Sequence, residues 1–377
     1  MPDAPTSFVT GFPGFLARWL VRKWLQSDDR ARLQLLVESS ELAHAREVLG
    51  RMEENASRPL GVADRVELLV GDVTAMDLGL SGPEFRRVTD QAHEVLHLAA
   101  VHTLSGDRRA AEAVNVNGTA NVLAFARAFR HLDRLVHFSS AYVSGKRTGV
   151  IMEDELEMGQ AFRNAYEETK HQAEVLVRRA ADRLPTIVIR PAGVVGDSRT
   201  GEIDRFDSVY HIGMLLVGSP VAIPIPQAGE GSAPLNLLPV DYVIDAVHAI
   251  VHHPASLGKA FHVVDPNPLP ARRVYEAIAA RAGKRLPRYS VPVNLTKALL
   301  RIPGLERFAS VSHEAIDYLD NMAFYNSRNT VAALEGSGLR CPHFEEYVDV
   351  LMQYVRDYFD RAGRWKDSGA PDVGERL

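Results

Sequence analysis

Over its first 190 or so residues the chain alternates short apolar runs with amphipathic stretches, and no other feature constrains its fold as strongly. The runs Ser7–Thr10, Leu33–Val37, Val66–Val70, Glu94–Leu98, Arg134–Ser139 and Thr186–Arg190 are four to six residues long and rich in Val, Leu and Ile, which predicts strands. Between them, Phe15–Gln26, Glu41–Arg51, Ala110–Arg130 and Tyr166–Arg183 carry helical periodicity. Strands that are apolar almost throughout and are separated by helices belong to a parallel sheet covered on both faces. Right-handed crossovers then predict an α/β, doubly wound fold.

Beyond that point the regularity fails. Val195 to Ala233 is rich in Gly, Pro and Asp, and Val217–Pro226, apolar but broken by three prolines, reads as a surface or cleft-lining loop. A strand at Asn236–Leu238, a helix from Val240 to about His252 and a strand at Ala260–Val264 are expected to return to the main sheet. From Pro270 the reading is a smaller, mainly helical C-terminal region. It ends in Phe344–Arg361, with an apolar face at Tyr347, Val350, Leu351, Tyr354 and Tyr358. Ala362–Leu377, rich in Gly and charge, is expected to be a frayed or loosely docked tail.

Composition narrows the function classes. The 377 residues are 46% hydrophobic and 24% charged, an ordinary globular balance, and the length allows two or three domains at roughly 100–200 residues each, or one large core with appended elements. Forty-three basic residues against 48 acidic ones give a net charge of −5, so no basic excess points to nucleic acid. The one cysteine, Cys341, cannot form an internal disulfide and reads as a small buried hydrophobe. The N-terminus lacks the basic stretch of a secretory signal, and no apolar run approaches the roughly 18–20 residues needed to cross a bilayer. A cytoplasmic protein is expected. His248 and His252 lie four apart on a predicted helix, but no third ligand is near in sequence, so no metal is expected.

The first strand runs straight into Thr10-Gly11-Phe12-Pro13-Gly14-Phe15-Leu16-Ala17 and a helix. Gly11 permits a tight turn, and Gly14 lets backbone N–H groups approach a pyrophosphate with no Cβ in the way. The helix opening at Phe15 and Leu16 adds unpaired N–H groups and the positive end of its dipole. Ala17 allows close packing of helix and strand. Glu38 ends the second strand. A carboxylate there can accept both hydroxyls of an adenosine ribose and would repel a 2′-phosphate, favouring NAD over NADP. Gly71-Asp72-Val73 follows the third strand, where Asp72 either accepts from an adenine amino group or serves as a helix cap.

Tyr166 and Lys170 stand four apart at the start of a predicted helix, which puts both side chains on one face. A nearby ammonium favours the phenolate, so Lys170 is expected to lower the Tyr166 pKa and make it a usable acid or base. Ser139 and Ser140 lie at the carboxyl end of the fifth strand, the edge where open α/β sheets bind ligands. One hydroxyl is expected to serve the turn backbone and the other, Ser140, to hydrogen-bond a substrate carbonyl.

Together these motifs resemble the extended short-chain dehydrogenase/reductase superfamily. The resemblance runs through Thr10-Gly-x-x-Gly14-x-x-Ala17, Gly71-Asp72-Val73, His97-Leu-Ala-Ala100 and Asn115-Val-Asn117-Gly-Thr119. It continues through Ser139-Ser140, Tyr166-x-x-x-Lys170, Arg190-Pro191-x-x-Val194 and Pro239-Val-Asp241. It implies a Rossmann fold with Ser140, Tyr166 and Lys170 in catalysis. Gly11, Gly14, Asp72, Val73, Ala99, Ala100, Asn117 and Ser139 would contact the cofactor, with Tyr166 and Lys170 reaching its ribose. Pro191 and Val194 would lie beside the nicotinamide, and His97 would pack next to the cofactor. Within the superfamily the chain looks most like the acyl-thioester reductases, which include fatty acyl-CoA reductases and the reductase domains of carrier-protein synthases. That group usually has an Arg suited to NADPH where this chain has Glu38.

The resemblance therefore implies an NAD(P)-dependent oxidoreductase acting on an acyl thioester or related carbonyl, free or borne by a carrier protein. Residues 1–195 would bind NAD(P), with 235–265 returning to them, and 196–234 and 266–361 would bind substrate ahead of a 362–377 tail. A ketone, 3-hydroxyacyl or sterol-type dehydrogenase, a nucleotide-sugar epimerase or dehydratase, and a non-catalytic NAD(P)-binding module share these motifs. Retention of Ser140, Tyr166 and Lys170 argues against the last.

Overall fold

The computed structural model describes residues 5–102, 107–204, 227–228, 231–283, 290–291 and 321–367. Seven strands form one parallel sheet: β1 (Thr6–Thr10), β2 (Arg32–Val37), β3 (Val66–Val70), β4 (Glu94–His97), β5 (Arg134–Phe138), β6 (Thr186–Pro191) and β7 (Ala260–Val263). Their spatial order is β3-β2-β1-β4-β5-β6-β7, so the winding reverses between β1 and β4. Ligands of such sheets bind outside the carboxyl ends of the strands at that reversal.

Within each strand, alternate residues go to opposite faces, and both faces are apolar. Val9, Leu96, Val136, Ile187 and Ile189 share a core with Leu20, Val21 and Trp24 of α1 (Phe15–Ser27). The same core takes Ala45 and Val48 of α2 (Leu42–Glu54), and Val243, Val247 and Ile250 of a later helix, Val240–His252. Their neighbours Phe8, Val95, Leu135 and Val188 face the other way. They pack on Val88 of α3 (Gly82–Gln91), Val122 and Leu123 of α4 (Thr119–Ala126) and Val177 of α5 (Ala165–Ala180). The helix Val240–His252 is α6. Each buried Leu, Ile or Val contributes about 1.5–3 kcal/mol by leaving water, which is why a strand with no polar face is stable here.

Four local features depart from the sequence expectations. The helix Ala110–Arg130 is instead one α-turn (Arg108–Ala111), a π-helical stretch (Glu112–Gly118) and α4, which stops at Ala126. α3 was not foreseen; a capping box between Ser81 and Glu84 starts it. Leu237–Pro239 does not join the main sheet as expected. It pairs with Gly193–Val195 in a separate two-stranded ribbon, and only β7 returns to the sheet. The last helix runs Phe344–Asp367 and buries Phe344, Tyr347, Val348, Leu351, Met352 and Val355, not the expected stripe through Val350, Tyr354 and Tyr358. Tyr347, Val348, Leu351, Met352 and Val355 are buried in that contact, and Tyr354 is half-buried.

The described C-terminal part holds helices α7 (Ala271–Arg281), α8 (Arg328–Leu334) and α9 (Phe344–Asp367), with a short strand Ala323–Tyr325 that pairs with Gly149–Ile151. α9 packs on Val274 and Ile278 of α7. α8 returns to the sheet: Ala333 enters the first core, and Thr330 donates to the His262 carbonyl of β7 at 2.9 Å. The expected loop Val217–Pro226, residues 292–320 of the substrate region and residues 368–377 of the tail lie outside the described residues.

Candidate active site

The turn after β1 is built from missing side chains. Gly11 has φ +90°, and a Cβ on it would stand 2.7 Å from the backbone nitrogen of Ala99. A Cβ on Gly14 would stand 2.8 Å from the Gly11 carbonyl oxygen, which accepts from the Gly14 N–H at 2.9 Å. Gly14 opens α1 with no side-chain cap, and no acidic residue lies in the first turn, where Phe15 and Leu16 are half-buried. A bare, positively polarised helix end over a turn too tight for side chains fits a dinucleotide diphosphate.

Ala99 and Ala100 follow β4, and the Ala99 backbone lies against that turn. The Ala99 N–H donates to Thr10 Oγ1 at 3.2 Å. From there one chain of hydrogen bonds crosses the sheet edge. Thr10 Oγ1 meets His97 Nδ1 at 2.8 Å, His97 Nε2 meets Thr119 Oγ1 at 2.9 Å, and Thr119 donates to the Asn115 carbonyl at 2.6 Å. Because Thr119 spends its proton on that carbonyl, it accepts from His97, so the imidazole carries its hydrogen on Nε2. Burial, with the Lys170 charge adding to it, pushes the His97 pKa down to about 3 and keeps the ring neutral.

Glu38 is exposed at the carboxyl end of β2, the strand next to β1. The Asp72 carboxylate accepts from the Thr74 N–H at 2.7 Å and from Thr74 Oγ1 at 2.8 Å, so it caps the turn after β3, not a helix. Val73 is buried against Gly118 of the π-helical stretch. Asn117 is exposed on that stretch, whereas Asn115, two residues earlier, is buried. Asn115 Oδ1 accepts from the Val101 N–H at 2.8 Å, and its Nδ2 donates to the Val101 carbonyl at 3.0 Å and to Thr169 Oγ1 at 2.9 Å. Asn115 thus joins the end of β4 to α5, a role the sequence offered to neither Asn.

At the end of β5 the two serines divide. Ser140 caps the short turn Ala141–Ser144, accepting from the Tyr142 N–H at 3.2 Å, and hydrogen-bonds the Tyr166 phenol. The buried Ser139 hydroxyl donates to Glu174 Oε2 at 2.6 Å. α5 starts at the Asn164 cap, whose Oδ1 accepts from the Glu167 N–H at 2.9 Å, and presents Tyr166, Lys170, Glu174 and Arg178 at intervals of four. Lys170 is 3% exposed and donates to the Phe138 carbonyl of β5.

Charge at this edge differs from expectation. Burial raises the Tyr166 pKa, the Ser140 hydrogen bond opposes that rise, and the expected lowering by Lys170 is absent. Burial also pulls the Lys170 ammonium down to about 8 against the attraction of Glu174. Glu174 itself is buried, which raises its pKa, but Arg190 by charge and hydrogen bond, then Arg178 and Ser139, bring it down to about 2. Arg190, 1% exposed, reaches Glu174 Oε1 at 2.7 Å and Oε2 at 3.0 Å. Its other donors go to the Glu155 carbonyl at 2.8 Å, to His262 Nε2 at 3.0 Å and to the Glu153 carbonyl at 3.3 Å. Pro191 follows at the buried end of β6, and Val194 pairs with Leu238 in the ribbon.

Among the described residues no group of three or more His, Cys, Asp or Glu side chains is placed to hold a metal, and no helix is long and apolar enough to cross a membrane. His248 and His252 pack against Trp24.

Comparison with known proteins joins these observations. The terminal R domain of the myxalamid PKS-NRPS biosynthetic pathway superposes with a TM-score of 0.79 at 28% identity, covering 96% of this chain and 92% of that one. The non-canonical nonribosomal peptide synthetase FrzA of Cladobotryum sp is 26% identical over 94% of this chain. The fatty acyl-CoA reductase wat of Drosophila melanogaster is 24% identical over 64% of it. The chain spans 36% and 53% of the lengths of these two curated relatives. The sequence profile described as male sterility protein, an NAD-binding family, matches residues 9–247. With that match over the sheet and the site, the chain belongs to the male sterility protein family, an acyl-thioester-reductase-like group of the extended short-chain dehydrogenases/reductases.

Proposed function

We propose that this oxidoreductase reduces an acyl thioester to an aldehyde with NAD(P)H, with Ser140, Tyr166 and Lys170 as its catalytic residues. The observation that carries the reading is the meeting of Ser140 with the Tyr166 phenol at the carboxyl edge of β5, one helical turn from buried Lys170. Gly11, Gly14 and the uncapped opening of α1 would hold the diphosphate of NAD(P)H, which would supply the hydride. Ser140 donates a hydrogen bond to the substrate carbonyl oxygen as negative charge develops there. Tyr166 delivers its proton to that oxygen, and its raised pKa keeps the proton on the phenol at neutral pH, as an acid requires. Lys170, which donates to the Phe138 carbonyl, would hold the ribose hydroxyls and stabilise the phenolate left behind. The hemithioacetal formed on the substrate then expels the thiol.

The names of the relatives, nonribosomal peptide synthetases and a fatty acyl-CoA reductase, support a thioester carried by a thiolation partner or by coenzyme A. Exposed Glu38 supports NAD over NADP, since the carboxylate accepts two ribose hydroxyls and repels a 2′-phosphate. Chemical class is tested with acyl thioesters, ketones and nucleotide sugars, using NADH and NADPH in parallel. The expected result is cofactor oxidation matched by equal release of free thiol and aldehyde. Turnover of ketones or sugars with thioesters untouched would overturn the reading.

A further inference from the structure

Among the described residues, two side-chain oxygens beside this edge have no hydrogen-bond partner. Asn236 Oδ1 and Asn321 Oδ1 are both buried and unbonded, and Asn236 as a whole is 5% exposed. An acceptor withdrawn from water without a partner is unfavourable, so two of them in one place point to a donor that arrives from outside. Both asparagines line one small cleft with Tyr142, Leu235, Ala323 and Tyr325.

That cleft adjoins the reacting edge. Tyr142 lies in the turn that Ser140 opens. The Asn236 backbone carbonyl accepts from the Gly193 N–H at 3.1 Å, two residues beyond Pro191. A Cβ on Gly193 would stand 2.8 Å from that carbonyl and 3.5 Å from the Tyr142 phenol oxygen. The Tyr325 hydroxyl is engaged with Ser144 Oγ at 3.1 Å. Among the described residues no carboxylate lines the cleft, which disfavours an ammonium ligand. Neutral amide oxygens flanked by aromatic and aliphatic surface match a planar secondary amide, an N–H donor on an otherwise apolar chain.

We propose that Asn236 and Asn321 form a substrate subsite that accepts the N–H of a secondary amide in the acyl thioester, an inference that rests on the thioester reading above. The amide could belong to a pantetheine-type arm on the thiol side or to a peptidyl group on the acyl side.

Three thioesters of matched length separate these sources: an alkanethiol ester with no amide, an N-acetylcysteamine ester, and an N-acylglycyl alkanethiol ester. Wild type is expected to favour an amide-bearing ester by about tenfold or more in kcat/KM, equivalent to about 1.4 kcal/mol. That ratio should fall to within about twofold in Asn236→Leu and in Asn321→Leu, so either variant carries the test if the other does not fold. Whichever amide ester is favoured identifies the source. Equal turnover of all three by wild type, or a preference that survives both substitutions, would overturn the proposal and leave a cleft that holds only water. Binding of pantetheine and of N-acetylglycine methylamide, followed by ligand-observed NMR, reads the subsite without turnover. If no thioester reacts but either amide binds in an Asn236-dependent way, the reductase reading fails and the subsite stands. No turnover and no binding would overturn both.

Discussion

On the β1 side of the switch point the sheet edge is bounded by backbone: Gly11 lies against Ala99, α1 opens without a cap, and Glu38, just after β2, is exposed. On the β5 side it is bounded by buried side chains: Ser140 and Tyr166 in contact, Lys170 behind them, and the Glu174–Arg190 pair below. The first half is shaped by the absence of side chains, at Gly11 and Gly14, which lie close in sequence. The second encloses charges, and its positions depend on partners distant in sequence. Glu174 holds Ser139, next to Ser140, and shares α5 with Tyr166 and Lys170, while Arg190 stands beside Pro191. One buried carboxylate therefore sets several groups at once.

Substitutions should separate the two halves, and the largest effect is expected at the buried pair. Glu174→Gln leaves Arg190 as an uncompensated buried charge and should cost about 3–5 kcal/mol in chemical denaturation, with lost turnover but cofactor affinity retained in the folded fraction. Its pH dependence has a definite sign. The Glu174 pKa is about 2 when folded against an ordinary 4.5, so its stabilisation is complete above pH 4.5 and is lost as pH falls toward 2. The variant should show a flatter acid limb over that window. An acid limb as steep as that of wild type would take Glu174 out of this role.

Gly11→Ala comes next. A Cβ there meets backbone at 2.7 Å in a left-handed conformation, which should cost about 1–3 kcal/mol and weaken the dinucleotide far more than it changes the acid limb. Titration calorimetry with NAD against thermal melts checks this, and unaltered affinity would mean that the turn is not the cradle. Smallest is the effect of Glu38→Arg. Wild type should favour NAD by about tenfold in kcat/KM, about 1.4 kcal/mol, and the substitution should reverse that ratio. A wild-type preference for NADP would remove Glu38 as the selector.

The contrast also explains what could be read from sequence. The six strands up to Arg190, the glycine turn and the Tyr166–Lys170 spacing are local patterns, and each is where it was expected. Asn115 and Asn117 look alike in sequence; only the π-helical path from Glu112 to Gly118 buries one and exposes the other. Leu237–Pro239 is three residues long, so its partner depends on where Gly193–Val195 lies, which no periodicity encodes. The Glu174–Arg190 pair did leave a trace, because Glu174 continues the four-residue interval from Tyr166 and Lys170. An apolar periodicity passes over it, since buried charges declare themselves only through their partners. Ser81-x-x-Glu84 was likewise a visible start signal for α3, masked by the Gly-Pro that follows.

The acid role of Tyr166 is the claim on which the rest depends. Tyr166→Phe, assayed with the best thioester of the panel and its preferred cofactor, isolates that role because only the phenolic oxygen is removed. The expected result is a fall in kcat of at least about 100-fold with the cofactor dissociation constant and the melting temperature close to those of wild type. Near-normal turnover by the variant would contradict the mechanism.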